Sequence, residues 1–173
     1  LEMQKISLLI IGAGNLGSRL VELFANNYTY IDTIYVASHS GVRAKLLSEK
    51  YPGMVHAVDQ STVLDREINY TFLCCKPKDF IAGSGTANKL CSNQKVSPHI
   101  CSMLAGVSLN ALQVAFPKAT NIIRAMPNLA LSFGRSVTGF IASVDTSEES
   151  KLFFQELLSK GGFTLELQTE EAI

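Results

Sequence analysis

Gly12-Ala13-Gly14-Asn15-Leu16-Gly17 stands between an apolar run and a helical pattern, and this stretch decides the fold. The preceding run, Ile6-Ser7-Leu8-Leu9-Ile10-Ile11, has the composition of a buried strand. A helix that begins inside the glycine run is indicated by apolar residues at spacings of four, three and one, namely Leu16, Leu20, Leu23 and Phe24. A GxGxxG pattern alone is weak evidence, but strand, glycine turn and helix in this order predict a dinucleotide-binding site.

Each glycine of the run has a physical role in such a site. Gly12 allows the tight turn, Gly14 lets a pyrophosphate approach the backbone, and Gly17 permits close packing of the helix on the sheet. The helix start adds free N–H groups and the positive end of the helix dipole. We therefore predict that Gly12, Gly14, Asn15, Leu16 and Gly17 bind the cofactor. The alternative is a glycine turn in an ordinary strand–helix unit.

Length and charge limit the class of protein. A chain of 173 residues is long enough for one domain with a sizeable core. Its 15 basic residues balance 15 acidic ones, so no basic surface field attracts nucleic acid. No uninterrupted apolar stretch is long enough to span a bilayer. We expect a soluble protein without nucleic-acid or membrane partners.

The cysteines predict free thiols rather than disulfides or metal ligands. Cys74, Cys75, Cys91 and Cys101 form no CxxC pair. No signal peptide precedes them, and a cytoplasmic location is the simplest account. Cys74 and Cys75 belong to an apolar run, where cysteine behaves as a small buried apolar residue. The three histidines show no ligand spacing, so no metal site is predicted.

Strand and helix signals alternate along the rest of the chain. Further strands are predicted over residues 33–37, 54–58, 70–75, 99–104, 121–126, 137–142 and 163–167, the last of them half-exposed. A helix marked by Val42, Leu46 and Leu47 is predicted to stop at Pro52-Gly53, and a second helix is predicted over residues 110–116. A third helix is predicted through Leu152, Phe153, Leu157 and Leu158, and Thr146 and Glu149 are predicted to form a capping box at its start. Residues 82–86 are interpreted as the irregular start of a helix that ends near Leu90.

This alternation predicts an α/β fold of the Rossmann type, with a doubly wound, mostly parallel sheet and helices on both faces. The predicted dinucleotide-binding domain spans residues 5–168. Residues 1–4 are interpreted as a cloning remnant, since Leu1-Glu2 precedes Met3, or as a disordered N-terminus, and they are left out of the fold.

The absence of an acidic residue after the second predicted strand indicates which dinucleotide the chain binds. NAD-binding versions of this fold place an acidic residue about twenty positions past the glycines to bind the ribose hydroxyls. Here Ser38-His39-Ser40 stands at that place, and Arg43 follows. Hydroxyls, a helix N-terminus and a cation suit the 2′-phosphate of NADP, which a carboxylate would repel. We predict NADP, with NADPH preferred over NADH. The alternatives are turn and cap roles for the serines and a solvated surface charge for Arg43.

Three further segments and their spacing carry a family resemblance. They are Phe72-Leu73-Cys74-Cys75-Lys76-Pro77, Met103-Leu104-Ala105-Gly106-Val107-Ser108 and Ile122-Ile123-Arg124-Ala125-Met126-Pro127-Asn128. Together with the glycine motif, they make the chain from Lys5 to Gln168 resemble pyrroline-5-carboxylate reductase, with the Arg-Ala-Met-Pro-Asn segment as the most specific part. The resemblance implies an NAD(P)H oxidoreductase that makes proline by reducing a cyclic imine carboxylate.

The resemblance also implies further site residues at the carboxyl ends of successive strands. On the cofactor side these are Cys75, Lys76, Pro77, Ala105, Gly106 and, as a looser match for the usual asparagine, Gln60. On the substrate side they are Met126, Pro127 and Asn128. Ligands of open parallel sheets bind at this edge, where the strand order reverses. No catalytic residue is assigned, because the nicotinamide supplies the hydride and a protonated imine is already electrophilic. Lys76 is interpreted as a phosphate or ribose neighbour, or as a solvated charge.

One departure from the family affects the expected activity. Reductases of this family continue into a helical domain that forms the homo-oligomer and contributes most of the imine site. We expect this chain to lack that domain, either as the excised cofactor domain of a reductase or as a natural protein that has dispensed with it. We therefore expect binding of NADP(H) and poor imine reduction. The alternatives are a reductase-like protein of another role, such as a competence-associated or deazaflavin-type NADP reductase relative, and a non-enzymatic NADP-sensing module.

Overall fold

The structure is a computed structural model that describes residues 4–62, 64–81, 89–90 and 99–173. Its strands are β1 (Ile6–Ile11), β2 (Ile31–Ala37), β3 (Val55–Val58), β4 (Tyr70–Leu73), β5 (His99–Ser102), β6 (Asn121–Met126), β7 (Ser136–Ala142) and β8 (Gly162–Glu166). Its α-helices are α1 (Asn15–Asn27), α2 (Val42–Lys50), α3 (Pro77–Ile81), α4 (Leu109–Ala115) and α5 (Glu148–Leu158). Short 3-10 helices span Leu129–Phe133 and Glu170–Ala172. The predictions for residues 82–86 and for Cys91 lie outside the described residues.

The eight strands form one sheet in the order β3-β2-β1-β4-β5-β6-β7-β8. Neighbouring strands are parallel except β6 and β7, which are antiparallel. This confirms the predicted mostly parallel, Rossmann-type sheet. The strand order reverses between β1 and β4. The carboxyl ends of those two strands therefore border the crevice where ligands of such sheets bind.

Both faces of the sheet are covered by helices, as predicted. On one face, Phe24 of α1, Leu47 of α2 and Phe154 of α5 pack over strand residues such as Leu8. On the other face, Leu112 of α4 packs with residues of β1, β4, β5 and β6. Strands buried on both faces read as nearly continuous apolar runs, which is why β1 could be recognised in the sequence. None of the helices in the described part of the chain is long and apolar enough to cross a membrane.

The predicted apolar face of α2 is wrong in detail. Val42 and Leu46 are each 59% exposed, whereas Ala44 and Leu47 are buried. The helix is therefore rotated from the orientation that its larger side chains suggested. Ala44 is small enough to sit against the sheet, and periodicity read from large residues misses it.

The predicted capping box of α5 is also wrong. Ser147 is the N-cap, and its hydroxyl accepts a hydrogen bond from the Ser150 amide. The Thr146 hydroxyl instead accepts a hydrogen bond from the amide of Ile122 at 3.1 Å and donates one to the carbonyl of the same residue at 3.2 Å. Thr146 thus links the segment before α5 to β6. The next residue, Ser147, caps the helix instead.

Candidate functional site

The turn after β1 is held tightly against the loop after β4. Gly12 has a φ of +104°, and a Cβ atom there would lie 2.5 Å from the backbone of both Cys74 and Cys75. The Gly12 amide also donates a hydrogen bond to the carbonyl of Ala37 at the end of β2. Only glycine fits this position. The close approach brings the loops after β1, β2 and β4 together at the point where the strand order reverses.

The next two glycines serve α1. A Cβ atom on Gly17 would lie 1.8 Å from the carbonyl oxygen of Gly12, so the helix can pack on the turn only because Gly17 lacks a side chain. Gly14 is the N-cap of α1 and has no side chain to cap it. The start of α1 therefore presents backbone N–H groups and the positive end of its dipole at the crevice, as the sequence predicted.

The loops surround a cleft of about 480 Å³, which we call the glycine cleft. It is lined by Gly12, Ala13, Gly14, Ser38, His39, Ser40, Arg43, Cys74, Cys75, Lys76, Lys78 and Asp79. The structure thus brings together eight of the predicted cofactor residues, from three separate loops. Sequence reasoning missed four of the lining residues, Ala13, Cys74, Lys78 and Asp79. Lys78 and Asp79 could have been found from their place in the first turn of α3, directly after Lys76-Pro77.

The charge of the glycine cleft favours an anionic ligand. Arg43, Lys76 and Lys78 line it against one acid, Asp79. No carboxylate stands in the segment from Ser38 to Arg43. The cleft therefore carries a formal excess of two positive charges, which suits a ligand that carries phosphates.

The two serines of the β2–α2 loop have a structural role. Ser38 Oγ accepts a hydrogen bond from the Ala44 amide at 3.2 Å, and Ser40 Oγ accepts one from the Val42 amide at 3.5 Å. The two serines therefore have the turn and cap roles that were the alternative to cofactor binding. These roles do not consume the hydroxyl protons, because a hydroxyl that accepts from an amide can still donate to a phosphate oxygen.

The remaining predicted cofactor residues lie outside the glycine cleft. Asn15 lines a neighbouring cleft between α1 and α2, and Leu16 packs against the core. Gln60 lies exposed in the turn after β3, and Pro77 begins α3. Ala105 and Gly106 are exposed in the loop after β5, where Gly106 has a φ of +71° and a Cβ atom added to it would meet no atom of the described residues within 4 Å.

The predicted substrate-side residues follow β6, at the same edge of the sheet. Met126 is 37% exposed, and Pro127 is half-buried. Asn128 caps the 3-10 helix at Leu129–Phe133, because its Oδ1 atom accepts a hydrogen bond from the Ala130 amide at 3.0 Å. Its side-chain NH₂ group is not used by that cap. The structure does not bring these three residues into the glycine cleft.

The thiols beside the glycine cleft are poor nucleophiles. Cys74, Cys75 and Cys101 are free cysteines. Burial raises the pKa of the Cys74 thiol far above its ordinary value and raises the pKa of Cys75 to about 11. Cys75 is nonetheless half-exposed and lines the cleft, unlike the fully buried residue that its apolar run suggested. Because the thiolate is the reactive form, neither side chain supplies a nucleophile at neutral pH.

Known proteins resemble the chain in both sequence and fold. The family model described as NADP oxidoreductase, coenzyme F420-dependent, matches residues 7–106. Pyrroline-5-carboxylate reductase of Corynebacterium melassecola is 28% identical over 159 residues, which are 91% of this chain and 58% of that protein. The pyrroline-5-carboxylate reductase structure from Coxiella burnetii superposes with a TM-score of 0.75 at 22% identity, over 95% of this chain and 59% of that one.

A second solved structure adds a bound cofactor. The pyrroline carboxylate reductase of Plasmodium falciparum, solved with NADP bound, superposes with a TM-score of 0.75 at 19% identity. The superposition covers 98% of this chain and 60% of the Plasmodium chain. At these identities the structural likeness shows the fold. The chain spans about three-fifths of the length of the relatives that it matches.

Proposed function

The chain belongs to the family of NADP oxidoreductases described as coenzyme F420-dependent, and we propose that it is the NADP(H)-binding domain of an imine reductase similar to pyrroline-5-carboxylate reductase. One observation carries this proposal. The glycine turn and the basic Ser38–Arg43 segment line the same cleft at the point where the strand order reverses. The curated relatives named pyrroline-5-carboxylate reductase support the choice of a cyclic imine carboxylate as the substrate.

The proposed arrangement assigns each part of the cofactor to a loop. The N–H groups at Gly14 and the N-terminus of α1 would hold the pyrophosphate. The hydroxyls of Ser38 and Ser40 and the side chain of Arg43 would hold the adenosine 2′-phosphate. The loop of Ala105 and Gly106 would accept the nicotinamide, since Gly106 has no side chain to block a flat ring.

NADPH, when bound, supplies the hydride that reduces the C=N bond. The residues of this chain position the cofactor. The imine that accepts the hydride binds on the side of Met126, Pro127 and Asn128. The side-chain NH₂ group of Asn128 is free to donate a hydrogen bond to the acceptor, since its cap uses only Oδ1. The thiols of Cys74 and Cys75 take no part as nucleophiles, because both remain protonated.

Titration of the unchanged protein, of one variant and of one control variant tests the cofactor preference. Calorimetric titration with NADPH and NADH should show at least about tenfold tighter binding of NADPH, the effect of one good charge-assisted contact. Arg43→Ala should remove most of that preference and leave NADH binding almost unchanged. Lys45→Ala is the matched control, because Lys45 lies on the same helix with its side chain 75% exposed. Equal or tighter binding of NADH to the unchanged protein would contradict the preference.

A second function is favoured by the description of the matching family model, which calls its members coenzyme F420-dependent. A chain of this kind would exchange a hydride between NADP(H) and F420. The two functions are separated by mixing the protein and NADPH either with pyrroline-5-carboxylate or with oxidised F420. Formation of proline supports imine reduction, whereas loss of the visible absorbance of F420 supports the alternative.

A further inference from the structure

A second cavity lies at the opposite edge of the sheet. Ile6, Tyr70 and His99 begin β1, β4 and β5, and all three line a cavity of about 420 Å³. Glu149 and Phe153 of α5 face them across it. We call it the amino-edge cavity. None of its described lining residues also lines the glycine cleft, which lies beyond the carboxyl ends of β1 and β4.

Aromatic rings form the floor of the amino-edge cavity. Tyr70 is stacked between His99 and Phe153, with ring centroids 4.5 and 4.8 Å apart. Tyr30 continues the cluster at 6.1 Å from Phe153. The rings are held in place, since Tyr30 donates a hydrogen bond to Glu156 and His99 Nδ1 lies 3.1 Å from the hydroxyl of the buried Ser150. The floor is therefore preformed rather than assembled by a ligand.

The floor is uncharged at neutral pH. Burial raises the pKa of Tyr70 to about 12 and raises that of Tyr30 further above its ordinary value. Burial lowers the pKa of His99, and the nearby Glu149 opposes this only in part. All of these rings are consequently neutral at pH 7, and His99 does not offset the charge of neighbouring carboxylates.

The rim of the amino-edge cavity is acidic. Glu67, Glu149 and Glu156 line it, all three are exposed, and no lysine or arginine is among the described lining residues. Glu156 accepts the hydrogen bond from Tyr30. Within the part of the chain that the structure describes, neither Glu67 nor Glu149 forms an ion pair. Three negative charges without a paired cation therefore surround an apolar floor.

We propose that the amino-edge cavity binds a small organic ammonium compound, with its apolar body on the ring of Phe153 and its ammonium group between the carboxylates of Glu67, Glu149 and Glu156. The volume is within the range of small-molecule sites, about 300–1,000 Å³. An anion is repelled by the rim. A neutral molecule gains the contact with the rings but not the charge-assisted hydrogen bonds, so the site selects for the cation.

The probe that tests this is benzylammonium, compared with benzyl alcohol and benzoate, which have the same ring. Calorimetric titration at low salt should show saturable binding of benzylammonium at one site, with a Kd below about 1 mM for so small a ligand. Benzyl alcohol should bind at least about tenfold more weakly, and benzoate should not bind. Equal binding of the ammonium compound and the alcohol would overturn the proposal, as would a lack of saturation.

Two carboxamide variants locate the bound ammonium group. Glu149→Gln should weaken benzylammonium binding about fivefold, and Glu67→Gln should have a similar effect, since each removes one charge and leaves the shape. Glu148→Gln is the matched control, because Glu148 is the exposed neighbour on α5 and pairs with Lys151 at 2.9 Å. Equal affinity in all of the variants would overturn the proposal.

The glycine cleft provides an independent control. Because the two cavities share none of the lining residues that the structure describes, saturating NADP⁺ should leave the Kd of benzylammonium unchanged. Displacement of the probe by NADP⁺ would place the probe in the glycine cleft and overturn the assignment. This outcome is distinct from a failure of NADP⁺ to bind, which the same titration reports separately.

Discussion

Gly14 and Gly17 lie in the same turn, but the space around them differs. A Cβ atom on Gly17 would meet the carbonyl oxygen of Gly12 at 1.8 Å, and this backbone atom cannot move aside without shifting the turn. A Cβ atom on Gly14 would meet only Arg43 Nη1, at 3.9 Å, which is an ordinary contact. Gly17 is therefore required for packing, whereas the fold tolerates a side chain at Gly14.

Alanine at these two positions should separate stability from binding. Gly17→Ala is expected to lower the free energy of unfolding by about 1–3 kcal/mol through overpacking, although alanine would otherwise favour the helix. Gly14→Ala should leave stability within about 0.5 kcal/mol and weaken NADP(H) binding at least about tenfold, because its methyl group lies where the pyrophosphate approaches. Urea unfolding and calorimetric titration measure the two effects. A similar loss of stability in both variants would contradict this division of roles.

Glu170 is a residue whose importance the sequence did not reveal. Its Oε1 atom lies 2.6 Å from Arg124 Nη1 and accepts a hydrogen bond from the Leu109 amide at 2.8 Å. The Arg124 side chain is only 8% exposed, so it depends on this partner. One carboxylate thus joins β6, the start of α4 and the 3-10 helix at Glu170–Ala172.

The stability that is lost when this carboxylate is removed should depend on pH. Burial would raise the pKa of Glu170, but the hydrogen bonds from Leu109 and Arg124 outweigh burial and lower it. A lowered carboxyl pKa contributes stability above the ordinary glutamate pKa of about 4.3, and the contribution is lost as pH falls through the folded-state pKa. At pH 7, Glu170→Gln should therefore be less stable by about 1–2 kcal/mol.

Urea unfolding at several pH values measures this effect. The difference between the unchanged protein and Glu170→Gln should shrink as the pH falls below the ordinary glutamate pKa and through the lowered pKa of Glu170 in the folded state, where the carboxylate becomes protonated. Glu171→Gln, at an exposed neighbouring position, is the control and should follow the unchanged protein. A constant difference at every pH would show that the charge of Glu170 does not stabilise the fold.

At the scale of single elements, the capping of α5 can be tested directly. The Ser147 hydroxyl accepts the Ser150 amide at 3.1 Å, so Ser147→Ala should lower the free energy of unfolding by about 1 kcal/mol. Thr146→Val should cost at least as much, because it leaves the buried amide of Ile122 without its side-chain partner. Thermal and urea unfolding check both values. An unchanged stability of Ser147→Ala would argue that another residue caps the helix.

Helices and strands were predictable where a periodic pattern or a strong local signal existed. The strand at Ile6–Ile11 follows from a nearly continuous apolar run, and the helix at Asn15–Asn27 follows from apolar spacing. The face of α2 and the cap of α5 were not predictable, because each depends on a contact with a distant element. Ala44 is buried by the sheet, and Thr146 is occupied by Ile122.

At the scale of the whole molecule, the sequence predicted the glycine cleft better than the amino-edge cavity. The cleft is built from loops that directly follow strands, so order along the chain was enough to bring Gly12, Ser38 and Lys76 together. The amino-edge cavity combines residues near positions 6, 30, 67, 99 and 153, which carry no common motif. Their proximity follows only from the strand order and from α5 packing against the amino ends of β4 and β5.

Cofactor binding should stabilise the whole domain, because a ligand that binds only the folded state adds to its free energy of unfolding. At a concentration of NADPH one hundred times its Kd, the gain is about 2.7 kcal/mol, which for a domain of this size raises Tm by about 5–10 °C. NADH at the same concentration should raise Tm by less, since we propose weaker binding. At the same NADPH concentration, Gly14→Ala should keep the ligand-free Tm of the unchanged protein and show about half of the shift or less, because its binding is at least about tenfold weaker. Differential scanning calorimetry measures all three, and an equal shift in Gly14→Ala would place NADPH away from the glycine turn.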